Sequence, residues 1–168
     1  PGTQSQNLEE FIKTDELTIV GILNTHGHGD HISANAHYAK IYNVNVYGHP
    51  GDERGYINKL EAHRPTKWLS TKDETLVIGN FEIKVLNTPG HSQGSVGFLI
   101  DNILFSGDTL FHESIGRTWG ENADELTLQE LESIRTKFFT LPDETLVFPG
   151  HDSSTTIKHE KVKNPFFN

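Results

Sequence analysis

The sequence predicts an α/β domain, and three observations support this fold class. Short runs rich in Val, Ile and Phe predict β-strands, whereas apolar residues spaced three and four positions apart predict helices. The chain has 168 residues, a length typical of one domain. Several predicted strands are followed by a His or an Asp, which indicates a polar site gathered along one edge of a sheet.

The predicted elements are short and follow one another closely. Residues 5–14 predict a helix with Ser5 as N-cap and with Leu8, Phe11 and Ile12 on one face. A second helix is expected over 33–42. Strands are expected at 17–23, 45–47, 76–78, 81–86, 95–100, 103–105 and 145–148, with hairpin turns at residues 79–80 and 101–102.

A capping box at residues 127–130 predicts the start of a further helix, whose buried face carries Leu131, Ile134 and Phe138. Residues 52–70 match no clear pattern, except that Arg64-Pro65 ends any helix that precedes it.

Composition narrows the function classes. The net charge is −9 and the Lys and Arg residues form no basic stripe, which argues against nucleic acid as a partner. No apolar run is long enough to cross a membrane. Cysteine is absent, so any metal site must use His, Asp and Glu. The lack of cysteine suits a reducing compartment, and we predict a cytoplasmic location.

Residues 26–31 place three imidazoles and a carboxylate within six positions. Two interpretations compete, namely a compact block of metal ligands and a polar loop in a chain that contains ten His. In extended backbone, His26 and His28 point the same way and could share one metal ion. Asp30 and His31 lie on the turn into the next helix and point elsewhere.

Three further candidate ligands follow predicted strands, and a Gly directly precedes each of them: His91, Asp108 and His151. The gaps between them are too long for a local loop and suit a site assembled by the fold. A first ion could bind His26, His28 and His91, a second Asp30, His31 and His151, and Asp108 could bridge both. Imidazole and carboxylate ligands suit zinc, and also iron or manganese.

Five other histidines match no such spacing, and we expect surface or packing roles for them, with His112 set apart by its closeness to Asp108. These residues are His37, His49, His63, His112 and His159.

The motifs at residues 25–31, 88–91, 106–111 and 149–151 resemble the signature of the metallo-β-lactamase superfamily. The resemblance implies an αβ/βα four-layer sandwich with the metals at one edge of the sheets. Residues 107–111 and 116–118, together with Glu160 and residues 164–166, look most similar to the short glyoxalase II-like (hydroxyacylglutathione hydrolase-like) proteins.

The resemblance implies a dinuclear hydrolase in which a hydroxide shared by two divalent ions attacks a thioester carbonyl. It carries over the seven ligands named above, with Asp30 and Asp108 as catalytic residues and zinc as the expected metal. The expected partner is a small-molecule acyl thioester, such as S-lactoylglutathione. Arg117 and Trp119 match the family's substrate contacts; Arg117 could hold a substrate carboxylate or pair with a nearby acidic residue.

The chain departs from the family pattern in several places. Ser153 follows Asp152 where long members carry Tyr, and the C-terminal helical domain of those members does not follow. The family's first strands do not precede Pro1-Gly2, so we interpret residues 1–168 as a single, N-terminally incomplete hydrolase domain.

Three alternatives stay open. A persulfide dioxygenase shares much of the signature but uses one iron, and an acyl-homoserine lactonase differs mainly in its pocket. A non-catalytic, metal-stabilised interaction domain is disfavoured because degenerate relatives usually lose ligands, whereas this chain keeps all seven.

Overall fold

The strands form two sheets that pack face to face. The structure is a computed structural model that describes residues 1–59 and 63–168. In the described part, one sheet has the strand order β1-β2-β3, and the other has the order β11-β10-β7-β6-β5-β4. The first sheet is parallel, and in the second only β7 and β10 run parallel to each other.

The strand bounds follow in chain order. They are β1 Ile22–Leu23, β2 Val46–Gly48, β3 Lys67–Trp68, β4 Glu74–Ile78, β5 Phe81–Asn87, β6 Val96–Ile100, β7 Ile103–Gly107, β8 Leu110–Phe111, β9 Ser114–Ile115, β10 Leu146–Pro149 and β11 Thr155–Thr156. Strands β8 and β9 form a separate two-stranded hairpin. The predicted turns at residues 79–80 and 101–102 join β4 to β5 and β6 to β7, as expected.

The helices are α1 Gln6–Thr14, α2 Gly29–Ile32, α3 Asn35–Tyr42, α4 Glu53–Lys59, α5 Ala123–Ser133 and α6 Ile157–Lys163. A 3-10 turn at Pro50–Asp52 precedes α4, and a π-helical segment, Ile134–Phe138, continues α5. Ser5 caps α1 as predicted, because its side chain accepts a hydrogen bond from the backbone N–H of Leu8. Of the three apolar residues expected on one face of α1, only Ile12 is buried.

Three clusters of buried side chains define the layers. Val85, Val96 and Phe98 of the large sheet pack with Leu23 and Tyr47 of the small sheet. The opposite face of the large sheet packs against the continuation of α5 and against α6. The buried residues of this second cluster are Leu99, Leu104, Leu110, Ile115, Ile134, Phe138, Val147 and Ile157. The opposite face of the small sheet packs on α3 through Ile22, Ala34, Tyr38 and Val46. The layers are therefore helix, sheet, sheet and helix, as the αβ/βα sandwich requires.

Two predicted segments differ from the structure because neighbouring backbone decides where an element starts. Only residues 22 and 23 of the predicted strand 17–23 are paired, since the partner strand begins at Val46. The predicted helix 33–42 corresponds to α3, which begins two residues later at Asn35, and a separate short helix, α2, precedes it inside the ligand block.

The capping-box prediction was wrong. Helix α5 begins four residues earlier, at Ala123, with two acidic residues in its first turn that favour a helix N-terminus. Thr127 therefore lies inside the helix, where its hydroxyl donates to the carbonyl of Ala123. The buried face was predicted correctly at Ile134 and Phe138, which are fully buried, and Leu131 packs against them.

Residues 52–70 contain α4 and β3, which no clear sequence pattern predicted. The predicted helix break at Arg64-Pro65 follows residues 60–62, which lie outside the described part. None of the described helices is both long and apolar enough to cross a membrane.

Candidate active site

The first ligand group forms at the end of β1 and β5. His26 and His28 follow β1, and His91 follows β5, and one ligand atom of each lies within 4.8 Å of the others. The Nε2 atom of His91 is 2.9 Å from Nδ1 of His28. The other ring nitrogen of His91 lies 2.9 Å from the carbonyl oxygen of Arg117. If Nδ1 carries the proton and donates to this carbonyl, Nε2 is free to bind a metal.

The second ligand group lies beside the first and is more exposed. Asp30 and His31 are placed by the first turn of α2, and His151 follows β10. Their ligand atoms also lie within 4.8 Å of one another. The His151 Nε2 atom is 3.2 Å from a carboxylate oxygen of Asp30.

Asp108, which follows β7, has its carboxylate between the two groups. Its Oδ2 atom is 3.9 Å from Nε2 of His26 and 3.8 Å from Nε2 of His91, in the first group. Its Oδ1 atom is 3.2 Å from Nε2 of His31, and its Oδ2 atom is 3.5 Å from Nε2 of His151, in the second group. One carboxylate therefore faces ligand atoms of both groups.

Glycines at two strand ends make this crowding possible. Gly107 adopts a φ of 55°, which a residue with a side chain rarely adopts, and turns the chain so that Asp108 follows β7 into the site. A Cβ atom on Gly150 would collide with the Asp108 carboxylate and the His31 ring. These two constraints explain why a Gly precedes Asp108 and His151 in the sequence.

Buried polar atoms without partners show that the site fits a cation. His26 Nε2, His31 Nε2 and Asp108 Oδ1 are buried, and none has an aligned hydrogen-bond partner among the described residues. Leaving such atoms unpaired is unfavourable by about 1–3 kcal/mol each. A divalent ion at each ligand group would satisfy them, and the donor set of imidazole nitrogens and carboxylate oxygens suits divalent metals.

Burial sets the protonation states that metal binding requires. Burial and the neighbouring His31 ring lower the pKa of His26 to about 2, so this imidazole is neutral at physiological pH. Burial and His28 likewise lower the pKa of His91. Burial acts to raise the pKa of Asp108, but the contact with His31 and the other imidazoles outweigh it, so its pKa falls below the ordinary value. The buried ligands therefore favour their metal-binding forms.

A cavity of about 650 Å³ opens onto both groups, and Arg117 and Trp119 line it. The Trp119 ring packs edge-on against His28 and His91, with ring centroids 5.5 and 5.2 Å away. Arg117 is exposed, and among the described residues no carboxylate lies within ion-pair distance of it. The structure thus brings together all nine residues that the sequence singled out.

Asp52 is a positioning residue that the sequence analysis missed. One carboxylate oxygen accepts hydrogen bonds from the N–H of Gly27 and the hydroxyl of Ser92, and the other accepts from the N–H of Gly94. The side chain therefore joins the loop that carries His26 and His28 to the loop that carries His91. Asp52 lies in the 52–70 region, where no motif marked it.

Glu130 is a second residue whose role the sequence did not indicate. It is fully buried, and neither carboxyl oxygen has a hydrogen-bond partner among the described residues. Its side chain lies against Gly90, next to His91, and an added Cβ on Gly116 would be 2.5 Å from its Oε1 atom. Burial raises the pKa of Glu130 to about 9, so a neutral carboxylic acid lies behind the ligand loops at physiological pH.

The five remaining histidines contribute to neither ligand group. His49 is buried, and its Nδ1 atom accepts a hydrogen bond from the N–H of Gly51. His63 is also buried, whereas His37 pairs with Glu9 at the surface. His112 and His159 belong to a separate group of polar side chains.

With the fold and the site described, comparison with known proteins identifies the family. Residues 1–151 match the sequence model of the metallo-beta-lactamase superfamily. The chain belongs to this superfamily, as the motifs at the four strand ends predicted.

Particular relatives are similar along nearly the whole chain. The hydroxyacylglutathione hydrolase GloC of Haemophilus influenzae is 33% identical over 182 residues, which cover 100% of this chain and 85% of GloC. The crystal structure of BLEG-1 B3 metallo-beta-lactamase superposes with a TM-score of 0.88 and 36% identity, covering 99% of this chain and 86% of that one. The crystal structure of TTHA1623 in a di-iron-bound form gives a TM-score of 0.82 and 32% identity, with 99% and 86% covered.

Proposed function

We propose that this chain is a dinuclear metal-dependent hydrolase of acyl thioesters, similar to glyoxalase II, with S-lactoylglutathione or a related thioester as substrate. The observation that carries the proposal is the Asp108 carboxylate, which faces ligand atoms of both groups. Two adjacent divalent ions supply a nucleophile at neutral pH and polarise a carbonyl oxygen. Membership of the superfamily supports a metal-dependent hydrolase, and GloC supports the thioester as substrate.

The protein's own residues orient the reaction in this proposal. His26, His28 and His91 would hold one ion in the buried part of the site, and Asp30, His31 and His151 would hold the other beside the solvent. Asp108 would contribute its carboxylate to both. Asp30 and Asp108 are the catalytic carboxylates, since both face the reacting centre. We expect zinc at both positions; the di-iron form of TTHA1623 supports iron as an alternative, and manganese suits the same ligands.

The cavity suits the two halves of a small thioester. The Trp119 ring offers an apolar wall above His28 and His91. The Arg117 guanidinium offers a charge-assisted hydrogen bond to a substrate carboxylate. Residues 1–168 act as a single hydrolase domain in this proposal, and a cytoplasmic location stays a prediction.

The test is a substrate panel run on protein with a measured metal content. Zinc-loaded protein should release free thiol from S-lactoylglutathione faster than from uncharged thioesters, and faster than it opens a lactone. A β-lactam belongs in the panel because BLEG-1 is named a metallo-beta-lactamase. The proposal would be wrong if the protein contained about one iron per chain, consumed oxygen when given a persulfide and cleaved no thioester. That result would identify a persulfide dioxygenase instead.

A further inference from the structure

A second cluster of metal-type side chains lies where the β8–β9 hairpin meets α6. The two-residue turn of the hairpin is His112-Glu113, and Glu113 adopts a φ of 55°, which is unusual for a residue with a side chain. The backbone N–H of Glu113 donates a 2.9 Å hydrogen bond to the carboxylate of Glu160 in α6. The turn is therefore held against the helix.

The side chains at this contact bring three potential metal ligands close together. The rings of His112 and His159 stack with centroids 4.9 Å apart and an interplanar angle of 17°. One nitrogen of each ring and one oxygen of Glu160 lie within 4.8 Å of one another. Ligands of one zinc-sized ion are at most about 4.4 Å apart, because each binds at about 2.0–2.2 Å. On binding an ion, the exposed His112 ring would move to close any remaining difference.

The Glu160 carboxylate has one acceptor position that no hydrogen bond from the described residues uses, and this position could bind a metal ion. It is fully buried, and its carboxylate accepts hydrogen bonds from the Thr155 hydroxyl, the Asn164 amide and the Glu113 N–H. A carboxylate offers about four acceptor positions, so one is left. Among the described residues, no Lys or Arg pairs with this buried carboxylate.

We propose that His112, His159 and Glu160 bind a divalent transition-metal ion at a site separate from the active site. Glu113 lies beside this ligand group, with its Oε1 atom 2.9 Å from Nε2 of His159. Two imidazoles with a carboxylate select ions of the zinc class over magnesium and calcium, which prefer oxygen alone. The bound ion would fasten the β8–β9 hairpin to α6.

The chain offers a matched control. His37 and Glu9 form the same kind of surface pair, at the same 2.9 Å as His159 and Glu113. Their side chains are also similarly exposed, with His37 29% and His159 37% exposed. Among the described residues, however, His37 has no further ligands beside it.

The test is equilibrium dialysis of the holoprotein against buffered free zinc, followed by elemental analysis. Wild type and His37→Gln should bind about one more zinc ion per chain than His112→Gln and His159→Gln. Unfolding midpoints measured before zinc is added show whether each variant is folded. Because both substituted histidines are at the surface, we expect unchanged midpoints and unchanged thioester hydrolysis.

Hydrogen exchange gives a second measurement. Added zinc should slow amide exchange in residues 110–115 and 157–163 of wild type and of His37→Gln, but not of His159→Gln. Equal zinc content in all four proteins would overturn the proposal. A loss of zinc from His37→Gln as large as that from His159→Gln would overturn it too, since binding would then be general surface adsorption.

Discussion

Arg117 contributes a cation to the cavity wall, and under the proposed function it would distinguish one thioester from another. Its neighbours in the cavity wall are imidazoles, carboxylates and two aromatic rings. The sequence left two roles open, a substrate contact and an ion pair with an acidic residue. The described residues include no such ion pair, which leaves the guanidinium available to a ligand.

Arg117→Ala should raise KM for S-lactoylglutathione about 10- to 100-fold and change kcat little. Losing a hydrogen bond to a charged group is unfavourable by about 1.5–3 kcal/mol, and each 1.4 kcal/mol is tenfold in binding. Steady-state kinetics on this substrate and on an uncharged thioester measure the effect, and the uncharged substrate should keep its KM. Arg64→Ala, which removes an exposed guanidinium paired with Glu53, is the control. Equal losses on both substrates would contradict carboxylate recognition.

Glu130 should make the free energy of unfolding decrease as the pH rises. Its folded-state pKa of about 9 is above the ordinary value of 4.5, so between these pH values the folded state holds a proton that the unfolded state has lost. The contribution of Glu130 to the free energy of unfolding is therefore complete below about pH 4.5. It is lost as the pH rises towards about 9, by at most about 1.4 kcal/mol per pH unit.

Glu130→Gln should remove this dependence, because the amide does not titrate. From pH 6 to pH 8, the variant should gain up to about 2.7 kcal/mol in unfolding free energy relative to wild type. Urea unfolding at the two pH values measures it. Glu132→Gln, an exposed position on the same helix, should follow wild type. If Glu130→Gln also follows wild type, Glu130 is ionised in the folded protein.

At the scale of elements, the active site depends on loops that start at strand ends and are tied to each other. Strand alternation and the Gly-His and Gly-Asp motifs are local, so they could indicate which strand ends carry the proposed ligands. Element starts depend on partners elsewhere in the chain, which is why β1 is shorter than its apolar run and α5 starts before its Thr127 motif. Asp52 was missed for the same reason, since its three hydrogen bonds join segments far apart in sequence.

Asp52→Asn should weaken zinc binding at the His26, His28 and His91 group about 10- to 100-fold, the usual effect of losing support behind metal ligands. Asn replaces an acceptor oxygen with a donor, so the N–H of Gly27 or Gly94 loses its partner. Chelator competition measures the zinc affinity, and kcat should fall in parallel at limiting zinc. Asp143→Asn, which removes a surface contact with Lys161, should leave the affinity unchanged. An unchanged affinity in Asp52→Asn would show that the loops hold their positions without it.

At the scale of the molecule, the proposed ligands come from both sheets. His26 and His28 follow β1 of the small sheet, whereas His91, Asp108 and His151 follow strands of the large sheet. An ion bound by these residues would therefore join the two halves of the sandwich in the folded state. The layer order could be predicted from the family resemblance, but the unequal exposure of the two ligand groups needed the packed structure.

The unequal exposure of the two ligand groups predicts that the two metal ions are lost one after the other. His26 and His91 are buried, whereas the side chains of Asp30 and His151 are 59% and 51% exposed, so the ion of the second group should exchange faster. In a His159→Gln background, which lacks the site proposed beside α6, a mild chelator should first leave about one ion per chain, and His151→Ala should start at that stoichiometry. Complete removal should lower the unfolding midpoint. An ion present at 1,000 times its Kd adds about 4.1 kcal/mol, which corresponds to roughly 8–16 °C for a domain of this size. Elemental analysis and calorimetry during chelation measure both effects. Simultaneous loss of both ions, or an unchanged midpoint in the metal-free protein, would show that the metals do not join the sheets in this way.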